Sequence, residues 1–141
     1  MKVTVEDMHQ HVISLCHQHG VAYTWCRRPT SSWAWFDGEE VCIAPIKSPI
    51  SYAVALHEIG HVLGRYQQSK DLMVRERWAW QWARRNALMW KPIMDRHAEV
   101  SLSFAGSRLR ITPLSATVTC GGMRRKRPQL SLTVVAIGSG N

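Results

Sequence analysis

Residues 48–64 read SPISYAVALHEIGHVLG, and the rest of the chain is best understood outward from this run. Ser48 supplies a side-chain cap, Pro49 a first helical residue that needs no N–H partner, and Gly64 a stop, so the spacing predicts a helix over Pro49–Leu63. On that helix His57 and His61 stand at i and i+4 and project from one face, flanked by the apolar Leu56 and Leu63. Two neutral imidazoles so placed can reach one metal ion, and Glu58, next to the first, points toward the water such an ion would carry. Zinc suits these donors, because it takes nitrogen ligands in a tetrahedral shell, keeps an open position at catalytic sites and lowers the pKa of bound water toward neutrality. Glu58 would accept that water's proton. With this chain's own His and Glu frequencies, the three fixed positions match by chance at roughly 1–2%. The competing reading is a pair of helix histidines in an ordinary hydrogen-bonded setting.

A third protein ligand is required, and the acids downstream are few: Asp71, Glu76, Asp95 and Glu99. Only Glu76 lies in the first turns of the next long helical segment, with Ala79 and Ala83 following at i+3 and i+7. Small residues on that stripe let this helix approach the histidine helix closely, as the short arm of a carboxylate requires. Glu76 is therefore the expected ligand, and its alternative is a surface ion pair with Arg75, Arg77 or Arg84. Asp71 reads as a solvated carboxylate in a polar loop.

Upstream, Met8, Val12, Leu15 and Cys16 recur at helical intervals and predict an amphipathic helix over roughly residues 3–19, ended by Gly20. Residues 21–28 and 32–36 are rich in Val, Tyr, Thr and Trp, with Arg28-Pro29-Thr30-Ser31 as a turn between them. Asp37-Gly38 is a hairpin dipeptide leading into residues 39–44. The expectation is a three-stranded antiparallel meander whose strand 39–44 offers an edge to an extended substrate. Downstream, 67–71 reads as a loop, 72–90 as a second long helix, and 93–104 as a third that begins at Pro92. The fold class expected is α+β, with one domain over residues 1–104 and a flexible basic tail over 105–141, in which residues 130–137 read as a short strand.

The chain has 141 residues, room for one ordinary domain, and its 45% hydrophobic and 20% charged content is that of a globular protein and not of a disordered one. It carries a formal charge of +8, distributed as −1 over residues 1–50, +3 over 51–100 and +6 over 101–141. The run Arg124-Arg125-Lys126-Arg127 allows nucleic acid or an acidic protein surface as partner, against the plainer reading of a solvated terminus. No stretch approaches a membrane span, and MKVTVEDMHQ has acids where an export signal needs an apolar run, so a cytoplasmic protein with no membrane partner is expected. Cys16, Cys26, Cys42 and Cys120 form no CxxC pair, and free thiols are expected. Seven tryptophans, among them Trp33, Trp35, Trp78, Trp80 and Trp82, suggest core packing. His9, His11, His17 and His19 offer no convincing second metal site, while Tyr66 and His97 are candidates to stabilise an oxyanion. Cys120, beside two glycines, has the chemistry to block zinc as a thiolate.

His57-Glu58-Ile59-Gly60-His61-Val62-Leu63-Gly64, followed by Glu76-Arg77-Trp78-Ala79 and an aromatic at Trp82, resembles the ImmA/IrrE family of zinc metallopeptidase-like domains, a gluzincin-type group frequent in phages and mobile elements. The likeness covers about residues 1–104 and implies a zincin-like domain with zinc held by His57, His61 and Glu76 and with Glu58 as base. It further implies hydrolysis of a peptide bond in a protein substrate, such as a transcriptional repressor, since some members inactivate repressors. The chain departs from the family where Trp78 and Trp80 flank Ala79, which implies a drier neighbourhood for the metal. The rival reading is a zinc-stabilised binding module that contacts DNA or a host protein without hydrolysis.

Overall fold

The structure, a computed structural model, describes residues 2–110, without the side chains of 108–110. The basic run 124–127, Cys120 and the strand considered near 130–137 lie outside the described residues. The elements are α1 (Val5–His19), β1 (Ala22–Trp25), a short 3-10 turn (Pro29–Ser31), β2 (Trp33–Trp35), β3 (Glu40–Ile43), α2 (Pro49–Leu63), α3 (Leu72–Asn86) and α4 (Pro92–Arg110). The class is α+β, and no described helix is long and apolar enough to cross a membrane.

Helix α1 starts two residues later than the apolar spacing predicts because Thr4 caps it. The Thr4 hydroxyl accepts from the Asp7 N–H at 3.1 Å, and the Asp7 carboxylate accepts from the Thr4 N–H at 2.8 Å. Its stripe of Met8, Val12, Leu15 and Cys16 is buried, and Gly20 ends it at φ 67°, a left-handed conformation that glycine adopts without strain.

The sheet is mixed and not the antiparallel meander expected from the sequence. Its order is β1-β3-β2, with β1 parallel and β2 antiparallel to β3. The hairpin through Asp37-Gly38 does form, pairing Trp33 with Cys42 and Trp35 with Glu40. The connection from β1 to β2 is not a hairpin turn; it carries the chain past β3, which then inserts between the two earlier strands. Burial accounts for this order. Val41 and Ile43 are fully buried, so β3 needs hydrogen bonds on both sides, whereas β1 and β2 tolerate an edge. The expected substrate-pairing edge at residues 39–44 is therefore corrected: β3 is central. Trp25, Trp33 and Trp35, on the outer strands, are 42–45% exposed and are not core residues.

Helix α2 is the hub, touching α1, α3, α4, β2 and β3, and it buries Tyr52, Leu56 and Ile59 completely against Val12, Val41, Ile43 and Met94. Tyr52 ties three segments together. Its oxygen accepts from the Leu88 N–H at 3.0 Å, which leaves its own proton for Nδ1 of His11 at 2.7 Å. This also explains why α3 stops at Asn86 and not at Trp90: Asn86 Nδ2 donates to the Trp82 carbonyl at 2.8 Å, and the next free amide, at Leu88, is drawn to Tyr52. Tyr52→Phe is expected to lower stability by about 1 kcal/mol, because it removes the acceptor of the Leu88 N–H and the donor to the His11 imidazole with little change in volume. A denaturation midpoint equal to the wild type's would remove Tyr52 from this role.

Helix α4 runs to Arg110, beyond the expected end at Phe104. A glycine inside a helix costs about 1 kcal/mol relative to alanine, too little for Gly106 to stop it. The compact unit containing these elements is Met1–Ile111.

Candidate metal centre

Helix α2 begins with a reciprocal serine cap. Ser48 Oγ accepts from the Ser51 N–H at 3.2 Å, and Ser51 Oγ accepts from the N–H groups of Ser48 and Lys47 at 3.0 and 2.9 Å. With Pro49 at the first turn, the helix starts where the sequence places it, and the histidines fall two turns further on. Gly60, between them, brings α3 close: a Cβ there would lie 2.5 Å from the Ala79 carbonyl oxygen and 3.0 Å from its Cα. Ala79 and Ala83 are fully buried on the same stripe of α3, and Glu76 sits on that stripe three residues before Ala79.

The close crossing brings His57, His61 and Glu76 together. His57 Nε2 is 3.3 Å from Glu76 Oε2, His61 Nε2 is 3.3 Å from Glu76 Oε1, and the two Nε2 atoms are 3.0 Å apart. Ligands about 2.05 Å from a tetrahedral zinc stand about 3.3 Å from one another, so the three separations suit that ion. Among the described residues this is the one group of three or more His, Cys, Asp or Glu side chains that converges in this way. The indole of Trp80 stacks on the His57 ring at 4.1 Å, giving the site one apolar wall.

The electrostatics favour a cation at this point. Burial alone would raise the Glu76 carboxyl, but hydrogen bonds and charge from His57 and His61 outweigh it and hold the group well below the usual carboxylate range. Burial would lower His61; the Glu76 carboxylate, Gln67 and Glu58 together overcome that and raise it. For His57, burial dominates and lowers it. The Glu58 carboxylate makes no hydrogen bond to another described side chain, and burial, partly opposed by His61, pushes it up to about 7. Three electron-pair donors meeting at 3.0–3.3 Å, with no described lysine or arginine paired to them, call for a proton or a metal ion between them.

The other acids weighed from the sequence are elsewhere. Asp71 caps α3, its carboxylate accepting from the Met73 N–H at 2.8 Å, so it is a helix cap and not a merely solvated loop residue. Asp95 pairs with Arg84 at 3.2 Å and accepts from Trp90 Nε1 at 2.7 Å. No described arginine forms an ion pair with Glu76. Tyr66 is 60% exposed and packs on Trp78, while His97 meets the site through the Trp80 indole. His9 stacks on Trp25, His11 bonds Tyr52 and His17 lies against Tyr23.

Gln67 is the residue that sequence reasoning missed. It is 7% exposed, and its Oε1 stands 2.9 Å from His61 Nδ1. A glutamine opening a polar loop carries no signal of such a role, because the contact depends on how the loop folds back. It also lines an open groove of about 400 Å³ with Phe36, Gly64, Tyr66, Gln68 and Ser69. No family model, curated protein or solved structure matches the chain.

Proposed function

We propose that this chain is a cytoplasmic zinc-dependent metallopeptidase of the ImmA/IrrE kind its motifs resemble, hydrolysing a peptide bond in a regulatory protein such as a repressor. The observation that carries this reading is the convergence of His57, His61 and Glu76 beside a carboxylate, Glu58, that no described side chain holds in a hydrogen bond or ion pair. The residues present fit the ion: two imidazoles and a carboxylate form a three-donor set of the type used at hydrolytic zinc sites. When bound there, zinc supplies a Lewis acid that polarises a carbonyl and acidifies water. Glu58, on the same helical turn as the donors, takes the proton of the attacking water and returns it to the leaving amine. Trp80 shields the His57 side of the site from water. The open groove lined by Gln67 is linked to the site through that residue's contact with His61.

Glu58→Gln tests this. The amide cannot accept a proton, so the variant is expected to keep its zinc while hydrolysis of a peptide library falls by at least about 100-fold. Unchanged turnover removes Glu58 from the mechanism. Zinc uptake by the wild type with no cleavage of any peptide favours instead a zinc-stabilised binding module.

A further inference from the structure

We propose that Gln67 is a positioning residue that fixes the tautomer of His61 and so bares the ring nitrogen that faces the metal. The inference rests on the metal site proposed above. Gln67 Nε2 donates to the carbonyl oxygens of Arg65 at 3.2 Å and Arg75 at 2.9 Å. Carbonyls only accept, so the amide has one orientation: turned over, it would set its oxygen against both of theirs. Oε1 is thereby directed at His61 Nδ1, 2.9 Å away, and because it too only accepts, Nδ1 must carry the hydrogen. A neutral imidazole has one such hydrogen, which leaves Nε2 with a free electron pair toward His57 Nε2 and Glu76.

The residue type follows from this geometry. A carboxylate accepts from His61 but cannot donate to Arg65 and Arg75, and an apolar side chain does neither. Glutamine does both, and in doing so it pins the chain after α2 to the first turn of α3, the two elements that carry the donors. His57 has no comparable partner: its Nδ1 is buried without a hydrogen bond. The tautomer of His61 is therefore set by the fold, and that of His57 is not.

Two variants separate positioning from mere loop anchoring. Gln67→Met keeps the bulk and removes every hydrogen bond; Gln67→Glu keeps the acceptor for His61 and removes the donors to the carbonyls. Zinc affinity is read by competition with a chelator, and the tautomers by nitrogen-15 spectra of the imidazoles in metal-free protein in alkaline buffer, where both rings are neutral. In the wild type the His61 proton is expected on Nδ1. Gln67→Met is expected to weaken zinc about 10–100-fold and to move that proton to Nε2, leaving the His57 signals in place. Gln67→Glu is expected to keep Nδ1–H on His61 and to weaken zinc less than Gln67→Met does, the smaller loss coming from its second oxygen facing the Arg65 and Arg75 carbonyls. Equal losses in both variants, or a methionine variant with unchanged affinity and tautomer, overturn the proposal. A wild type that takes no zinc fails the metal site, and the ring spectra still decide the tautomer: Nε2–H on His61 there overturns the role of Gln67 as well.

Discussion

Glu76→Ala is expected to release zinc from the proposed site, weakening its binding by on the order of 1000-fold, because it removes one of three protein donors. His57 and His61 would be left with solvent to complete the shell. Asp71→Ala is the informative contrast. Asp71 is only five residues away, but its carboxylate holds the Met73 N–H, so its loss is expected to cost about 1 kcal/mol of stability and no zinc. Metal analysis and chelator competition on both variants check this; release by Asp71→Ala with retention by Glu76→Ala would overturn the ligand assignment.

In metal-free protein the same substitution has a pH signature. The Glu76 carboxyl is depressed by its histidines, so its contribution is present above the ordinary value of 4.5 and is lost as pH falls through its folded value. His61 is raised, so its contribution is present below 6.5 and is lost as pH rises through its folded value. Glu76→Ala is accordingly expected to destabilise the metal-free protein most between these two pH values.

Gly60→Ala is expected to have the second largest effect. Its new methyl group would meet the Ala79 carbonyl oxygen at 2.5 Å, and backbone cannot swing aside as a flexible side chain does. Helix α3 must then move away from α2, at a cost of about 3 kcal/mol, carrying Glu76 out of reach of the histidines. Loss of stability and loss of zinc should therefore appear together. Gly106→Ala is the control, since a Cβ there finds only Met73 side-chain atoms at 3.9 Å and the helix gains up to about 1 kcal/mol. A Gly60→Ala protein with native stability and full zinc would show that the crossing is looser than the geometry states.

Where a structural feature rests on neighbours within a few residues, it is legible in the chain. Ser48, Pro49 and Gly64 bound α2, the i, i+4 spacing puts His57 and His61 on one face, and the Ala79 and Ala83 stripe singles out Glu76 from four acids. The Asp71 cap is local too, and a reading that stops at the polarity of residues 67–71 passes over it.

The remaining features depend on contacts between segments remote in sequence. Nothing in residues 22–43 says that β3 will lie between β1 and β2; that order follows from the burial of Val41 and Ile43 beneath α2, which demands hydrogen bonds on both edges. The end of α3 depends on the Tyr52 hydroxyl, 36 residues before the Leu88 amide it receives. Gln67 becomes part of the site only because α2 and α3 cross closely enough at Gly60 and Ala79 for one amide to span Arg65, Arg75 and His61. The sequence by itself determined which three side chains would be candidates to converge and the helix that presents two of them. Their separations, and the hydrogen bond that orients His61, were decided by tertiary packing, because a helix specifies its own periodicity but not how closely its neighbour will approach.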